Sequence, residues 1–190
     1  MEKNITVYGA SSSTLAPIYT DAAYRLGQAI AHAGATVVTG GGRTGMMAAV
    51  EEGAMAEGGK TIGVIPEFMI ERDWQHKGLT HMEIVPDMHT RKATMARLAY
   101  AVIALPGGIG TFEELMEIIT WRQLGLFGGN IVILNINNYY DAMLSMFSHA
   151  IEEGFMRPDH RSLFTVAESV DEALAAALAE PEHLNPSPKF

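Results

Sequence analysis

The sequence contains no cysteine among its 190 residues. This absence excludes a disulfide framework, a thiolate metal site and a cysteine nucleophile. Charged residues make up only 18% of the chain and leave a net charge of −9. That balance argues against nucleic acid as the main partner, because phosphate backbones are bound through basic faces. No segment approaches a membrane span, and "MEKNITVYGASSS" lacks the apolar core of a signal peptide. We therefore expect a cytoplasmic protein.

Short apolar runs alternate with longer stretches of helical periodicity along the chain. The short runs predict strands at 5–10, 35–42, 60–66, 82–86, 101–106 and 130–136. The longer stretches predict helices at 18–34, 44–59, 88–99, 111–125, 139–153 and 169–179. Continuous apolar strands suit a parallel sheet buried on both faces. The alternation predicts one domain, 1–190, with a doubly wound α/β fold and a mostly parallel sheet.

Two segments show neither periodicity. Residues 66–81 are predicted to form a loop, and loops of this length in compact domains are often functional. Residues 180–190 are rich in proline and predict a frayed tail.

Three glycine loops follow predicted strands: "GASSS" (9–13), "GGGRTG" (40–45) and "PGGIGT" (106–111). In an open parallel sheet, ligands bind at such strand ends, and a following helix offers free N–H groups to an anion. Each loop alone is equally consistent with a plain structural turn. No acidic residue closes the strand after "GGGRTG", and this loop also lacks the lysine of a Walker loop. The pattern therefore indicates a phosphate cradle rather than a dinucleotide or P-loop site.

Two cations follow Asp87, the predicted N-cap of helix 88–99. Arg91 and Lys92 then lie near the end of the helix dipole that disfavours positive charge. They are either solvated or placed to meet a phosphate, and the spacing leaves both open. The next helix offers a similar choice, because Thr111 and Glu114 match the S/T-x-x-E capping box. Glu114 can be a capping residue, a chemical group, or both.

Other chemistry is weakly supported. His76, His81 and His89 lie close in sequence, but without the spacing of a metal site. The serines of "SSS" lack the G-x-S-x-G elbow of an acyl-transfer enzyme. The methionines fall mostly at helical core spacing, which favours a packing role; these include Met46, Met47, Met143 and Met146.

Two motifs carry a resemblance to a known family. "PGGIGTFEE" and "MHTRK" resemble the P-G-G-x-G-T-x-x-E and M-x-x-R-K signatures of the LOG ("Lonely guy") family, the cytokinin riboside 5′-monophosphate phosphoribohydrolases, long labelled possible lysine decarboxylases. The likeness covers roughly residues 4 to 178. It implies a Rossmann-like fold, a homodimer with the site near the subunit interface, and no metal or organic cofactor. It also implies hydrolysis of the N-glycosidic bond of adenosine 5′-monophosphates, often N6-substituted, to a free base and ribose 5-phosphate.

The resemblance also implies roles for individual residues. Arg91 and Glu114 match the catalytic pair. Substrate contacts are expected, from the motifs and the glycine loops, at Lys92, Gly107, Gly108, Gly110, Thr111, Glu113, Thr120, Asp73, Gly41, Gly42 and Ser11. Three departures from the family pattern bear on substrate preference: Ala10 in place of a glycine, the added charge of Arg43, and Asp73 in place of a glutamate.

Three alternative functions remain. A lysine decarboxylase would need a lysine for pyridoxal phosphate, and only Lys77, after His76, has the sequence context of one. A nucleotide-binding module without turnover would have no use for a carboxylate beside an anion. A general AMP nucleosidase would share the mechanism and differ in substrate.

Overall fold

The computed structural model describes residues 3–181. Seven strands form one sheet in the order β4-β3-β2-β1-β5-β6-β7, and every neighbouring pair is parallel. The strands are β1 Asn4–Tyr8, β2 Thr36–Thr39, β3 Thr61–Pro66, β4 His81–Val85, β5 Ala101–Ala104, β6 Asn130–Leu134 and β7 Thr165–Ala167. The helices are α1 Pro17–His32, α2 Gly45–Ala56, α3 Glu67–Glu71, α4 Met88–Leu98, α5 Ile109–Gln123, α6 Asp141–Glu152 and α7 Val170–Leu178. The predicted α/β fold is confirmed, with a wholly parallel sheet.

The central strands β1, β2, β3, β5 and β6 are buried on both faces of the sheet, which explains their continuous apolar runs. In β5, Ala101 and Ile103 belong to one core cluster, whereas Val102 and Ala104 belong to the other. The first cluster includes residues of α1, α2 and α7. The second includes residues of α4 and α5. Side chains alternate between faces along a strand, so a strand covered on both sides is apolar at most of its positions.

The strand order places one crevice at the centre of the sheet. From β1 the chain builds outward through β2, β3 and β4, and then returns to add β5 on the other side of β1. The connections that follow β1 and β5 therefore diverge, which is where doubly wound folds bind ligands. The backbone N–H of Ala10 donates to the carbonyl of Pro106 at 3.1 Å and ties the two loops together.

The structure departs from the predicted elements in three places. Strand β7 was not predicted, because its three residues are too few to show a period and two of them are exposed. The predicted loop 66–81 contains the short helix α3 and the first residue of β4. Helix α5 begins at Ile109 rather than at residue 111. The predicted tail lies outside the described residues beyond its first two positions.

Helix α6 presents apolar side chains that the chain itself does not bury. None of its residues is buried, and Met146 is 62% exposed, so the prediction that Met146 packs in the core was wrong. Met46, by contrast, is fully buried as predicted. Phe155, just beyond α6, is 86% exposed. Within residues 3–181, no helix combines the length and apolar character that a membrane crossing requires.

Candidate active site

A cavity of about 710 Å³ lies at the carboxyl edge of the sheet. Its walls come from the loops that follow β1, β2 and β5, and from the segment that contains α3. Several predicted site residues line it together: Ser11, Gly42, Gly108, Gly110, Thr111, Arg91 and Glu114. The parallel sheet explains this convergence, since the carboxyl ends of neighbouring strands meet at one edge.

Arg91 and Glu114 form a buried ion pair in this cavity. Their side chains are only 7% and 11% exposed, and Nη1 of Arg91 lies 3.1 Å from Oε1 of Glu114. The Nε of Arg91 donates to the carbonyl oxygen of Val64 at 3.1 Å. A Cβ added to Gly40 would overlap the guanidinium, so the turn at Gly40 lies directly against it. The guanidinium is therefore fixed in position, and its interpretation as a solvated cation is wrong.

The start of α4 explains how Arg91 reaches the cavity. Asp87 is the N-cap, as predicted, and accepts from the backbone N–H of Thr90 at 2.7 Å. That hydrogen bond lowers the pKa of Asp87. A fixed helix start sets the direction of the first turns, and so aims Arg91 and Lys92 toward α5.

The predicted capping box at Thr111 and Glu114 was wrong. Gly108 is the N-cap of α5 and no side chain caps the helix, so Thr111 is the third residue of the helix rather than its cap. The Glu114 side chain accepts from Arg91 instead. Because α5 starts before Thr111, Thr111 and Glu114 cannot form a capping box. Glu114 instead forms an ion pair with Arg91 on α4.

The Glu114 carboxyl is more basic than an ordinary glutamate. Burial raises its pKa, and the positive charge of Arg91 opposes that shift without cancelling it. Tyr8 lies close enough to respond to the same charges: burial raises the pKa of its phenol, and the Glu114 carboxylate raises it further. A carboxyl shifted in this way, beside a fixed cation, has the properties of a catalytic group.

Lys92 makes a second ion pair beside the first. Its Nζ donates to Glu113 and, at 3.2 Å, to Glu117. Burial opposes its charge, but the two hydrogen bonds outweigh that effect and raise the pKa of Lys92. Neither Lys92 nor Glu113 lines the cavity. Glu117 was not predicted, although its position one turn after Glu113 on α5 places both carboxylates on one face. Within residues 3–181, no group of three or more side chains could hold a metal ion.

Two predicted substrate contacts, Gly107 and Thr120, do not line the cavity. The carbonyl of Gly107 accepts from the phenol of Tyr139, and a Cβ on Gly107 would overlap the side chain of Thr111. The Thr120 hydroxyl donates to the carbonyl of Met116 at 2.8 Å. Gly107 therefore shapes the loop, and Thr120 lies less than two turns beyond Glu114, the last residue of α5 that lines the cavity. Their predicted contacts with substrate stay predictions.

Asp73 and Gly41 do not line the cavity themselves, but each is next in sequence to a residue that does. Asp73 pairs with Arg43 at 2.9 Å and with Lys77 at 2.8 Å. Lys77, more than Arg43, lowers the pKa of Asp73. The backbone N–H of Arg43 donates to the carbonyl of Trp74 at 3.0 Å. The carbonyl of Gly41 accepts from the backbone N–H of His76 at 2.8 Å. These bonds fasten the segment after α3 onto the glycine turn that follows β2.

The cavity also has an apolar wall that the sequence did not predict. The wall consists of three methionines, a tryptophan and an isoleucine: Met47, Met69, Met88, Trp74 and Ile109. Met47 was predicted to be a packing residue, yet it lines the cavity. Its position two residues after the "GGGRTG" loop is the sequence feature that could have indicated a place in the cavity wall. Ile109, between two motif glycines, is 83% exposed.

Comparison with known proteins shows the family. A family model described as "Possible lysine decarboxylase" matches residues 47–177. A cytokinin riboside 5′-monophosphate phosphoribohydrolase from Rhodococcoides fascians is 43% identical over 175 residues, covering 92% of this chain and 88% of the relative. The Arabidopsis thaliana protein named cytokinin riboside 5′-monophosphate phosphoribohydrolase LOG7 is 40% identical over 170 residues, covering 90% of this chain and 78% of the relative.

Solved structures show the same architecture. The molybdenum cofactor binding protein of Rippkaea orientalis superimposes with a TM-score of 0.71 at 22% identity, over 92% of this chain and 94% of that protein. The Moco carrier protein of Chlamydomonas reinhardtii gives a TM-score of 0.71 at 24% identity, over 93% and 95%. At these identities the likeness concerns the fold alone.

The two neighbours of Glu114 should move its pKa in opposite directions. Arg91→Met removes the cation that lowers the pKa of Glu114, so the pKa should rise further. Glu113→Gln removes a carboxylate that raises it, so the pKa should fall. Titration of the glutamate carboxyl carbons by ¹³C NMR measures both shifts. Arg25→Met, at an exposed position on α1, is the matched control and should leave Glu114 unchanged. Shifts of the same sign in both site variants would contradict this electrostatic account.

Proposed function

The chain belongs to the LOG family of cytokinin riboside 5′-monophosphate phosphoribohydrolases, and we propose that its cavity hydrolyses the N-glycosidic bond of adenosine 5′-monophosphates. The products are the free base and ribose 5-phosphate. The observation that carries this proposal is the buried pair of Arg91 and Glu114 beside the glycine start of α5. This places a fixed cation and a basic carboxyl next to a helix end that attracts anions.

The start of α5 is suited to the 5′-phosphate. Its first N–H groups have no side-chain cap and lie at the positive end of a 15-residue helix. A Cβ added to Gly108 or Gly110 would meet no protein atom within 4 Å. The protein's own packing therefore does not require glycine at either position. Close approach of a ligand to the backbone gives a reason for both.

The chemistry assigns complementary roles to the ion pair. When the bond between ribose C1′ and the base nitrogen breaks, its electrons leave with the base and positive charge develops on the ribose. The Glu114 carboxylate stabilises that charge, and a water molecule adds to C1′ while the base gains a proton. Arg91 is held by Val64 and Glu114, so it presents its remaining N–H donors without reorganisation.

The apolar wall favours a base that carries an apolar N6 substituent. Met47, Met69 and Trp74 line the cavity together with the catalytic pair. Methionine side chains adapt to irregular apolar groups, and an indole ring offers a flat surface to a purine. We therefore propose that N6-isopentenyl-AMP is hydrolysed in preference to AMP.

The structure gives no support to lysine decarboxylation. Among the described residues no lysine lines the cavity. The Nζ of Lys92 is held between Glu113 and Glu117, and that of Lys77 pairs with Asp73 at the surface. A Schiff-base lysine needs an amine that is free to react.

A product assay tests the proposed reaction. Purified protein should release adenine from AMP and N6-isopentenyladenine from its nucleotide, with ribose 5-phosphate in both cases. Glu114→Gln should lower kcat by about 10²–10³-fold, as loss of an electrostatic group in an active site does. Glu153→Gln, at an exposed position, is the matched control and should leave kcat unchanged. Tight binding of AMP without release of adenine would instead indicate a binding module. Equal rates with both nucleotides would indicate a general AMP nucleosidase.

A substitution at Gly110 tests phosphate binding separately from the stability of the fold. Gly110→Ala should raise KM for AMP by about tenfold or more, because a methyl group would occupy the space of the phosphate. The melting temperature should stay the same or rise, since alanine favours a helix. Gly128→Ala is the matched control, because an added Cβ there also meets nothing within 4 Å and lies outside the cavity. An unchanged KM in Gly110→Ala would remove the phosphate from this helix start.

We also propose that the protein is a homodimer that buries the apolar side of α6. The helix is amphipathic, yet none of its residues is buried by the chain itself. Met146 and Phe155 are among the most exposed apolar side chains of the described residues. A second copy would cover such side chains in a self-complementary contact.

A charge on this surface should dissociate the dimer. Light scattering should give twice the mass of one chain for the wild type and a single mass for Met146→Glu, because a buried carboxylate opposes association. Ala175→Glu adds the same charge at an exposed position on α7 and should remain dimeric. A dimeric Met146→Glu would show that another surface holds the copies together.

A further inference from the structure

Glu51 is a buried carboxyl outside the cavity that the proposed reaction does not use. It lies in α2 and is 0% exposed. Its Oε1 accepts a hydrogen bond from the hydroxyl of Thr39. Among residues 3–181, its Oε2 has no hydrogen-bond partner. A carboxyl buried with half of its hydrogen-bonding capacity unused destabilises the fold, so its presence calls for another explanation.

The contact with Thr39 leads from Glu51 to a backbone turn. Thr39 is the last residue of β2, and its hydroxyl also accepts from the N–H of Gly41 at 3.0 Å. A threonine hydroxyl has a single proton. Because that O–H donates to Glu51, the oxygen keeps its lone pairs for the N–H of Gly41. Glu51 thereby sets the orientation of the hydroxyl on which the turn depends.

The turn at Gly41 is held tightly. Its φ of +68° lies in the left-handed region, where a side chain would be strained. Its carbonyl accepts from the N–H of His76 at 2.8 Å. An added Cβ would meet the sulfur of Met82 at 3.1 Å and the Cα of Gly63 at 3.2 Å. The Thr39 hydroxyl therefore holds the N–H of Gly41, and the N–H of His76 holds its carbonyl.

The two glycines beside Gly41 belong to the site. Gly40 lies against the guanidinium of Arg91, so that a Cβ there would overlap it. Both Gly40 and Gly42 line the cavity. A change in the turn would therefore move the wall against which Arg91 is held.

We propose that Glu51 is a positioning residue, which through Thr39 holds the glycine turn 40–42 against the guanidinium of Arg91. It touches neither substrate nor the reacting atoms. This inference rests on the hydrolysis proposed above for its effect on rate, but its effect on the turn is independent of any activity.

The protonation state of Glu51 gives the proposal a second readout. Burial raises the pKa of Glu51 to about 8, the hydrogen bond from Thr39 opposes the shift, and the neighbouring charge of Glu52 adds to it. Glu52 in turn lies 4.0 Å from the ring of His76. The carboxyl is therefore mainly uncharged at pH 7 and becomes mainly a buried anion as the pH rises through about 8. The turn should respond over that interval.

Substitutions at Glu51 separate positioning from stability. Glu51→Leu removes the acceptor for Thr39 and should lower kcat about tenfold with little change in KM, as loss of one hydrogen bond that positions a catalytic group does. Its melting temperature should stay the same or rise, because an unpaired buried polar atom is removed. Glu51→Gln keeps an oxygen that accepts from Thr39 but cannot ionise, so it should retain kcat and lose the change in kcat that the wild type shows with a midpoint near pH 8.

Matched variants complete the kinetic test. Thr39→Val should lower kcat as Glu51→Leu does, whereas Thr39→Ser, which keeps the hydroxyl, should restore it. Asp21→Leu, at an exposed position on α1, should leave kcat unchanged. Wild-type kcat in both Glu51→Leu and Thr39→Val would overturn the proposal. The proposal would also be overturned if every variant with a lower kcat also had a lower melting temperature.

The backbone amide of Gly41 tests the positioning without turnover. Its ¹H–¹⁵N signal should shift with a midpoint near pH 8 in the wild type and should not titrate in Glu51→Gln, with Gly128 as the internal control. If no nucleotide is hydrolysed but Gly41 titrates as expected, the proposed function fails and the positioning role stands. A Gly41 signal that is indifferent to pH and to Glu51→Gln would overturn the positioning role, whatever the activity.

Discussion

Arg91 and Glu114 are removed from water together, and much of the site follows from the need to satisfy them. Burying a charged group carries a penalty of several kcal/mol, which only good geometry and further hydrogen bonds offset. Here Glu114 supplies the opposite charge and Val64 a carbonyl, while Gly40 leaves room for the guanidinium. The cavity is thus lined by a cation and a carboxyl whose positions are set before any ligand binds, which is the condition for electrostatic catalysis.

The same two helices form a second, more exposed pair alongside the first. Lys92 follows Arg91 on α4, and its partners Glu113 and Glu117 flank Glu114 on α5. Adjacent cations thus meet carboxylates on one face of the facing helix. The inner pair lines the cavity, whereas Glu113 is 53% exposed. Lys92 with Glu113 and Glu117 therefore links α4 to α5 beside the buried pair of Arg91 and Glu114.

The glycines of the three loops serve two different ends. At Gly40 and Gly107 an added Cβ would overlap Arg91 or Thr111, so the protein's own packing requires glycine there. At Gly108 and Gly110 the space is open on the side where a Cβ would lie. Those two lie at the start of α5, where the protein's own packing does not require glycine. The motif therefore combines glycines that packing requires with glycines that it does not.

Some of this arrangement was determined by the sequence alone. The apolar runs predicted six strands and a parallel sheet, and Asp87 was identified as a helix cap, because periodicity and capping depend on residues a few positions apart. The three-residue β7 was too short to show such a signal. The capping box at Thr111 failed because Glu114 instead meets Arg91, 23 residues earlier in the chain. No sequence pattern indicated the link from Glu51 through Thr39 to the turn beside Arg91. Which carboxyl meets which cation, and which is left half-paired, depends on how helices pack across the sheet, and only the tertiary structure decides that.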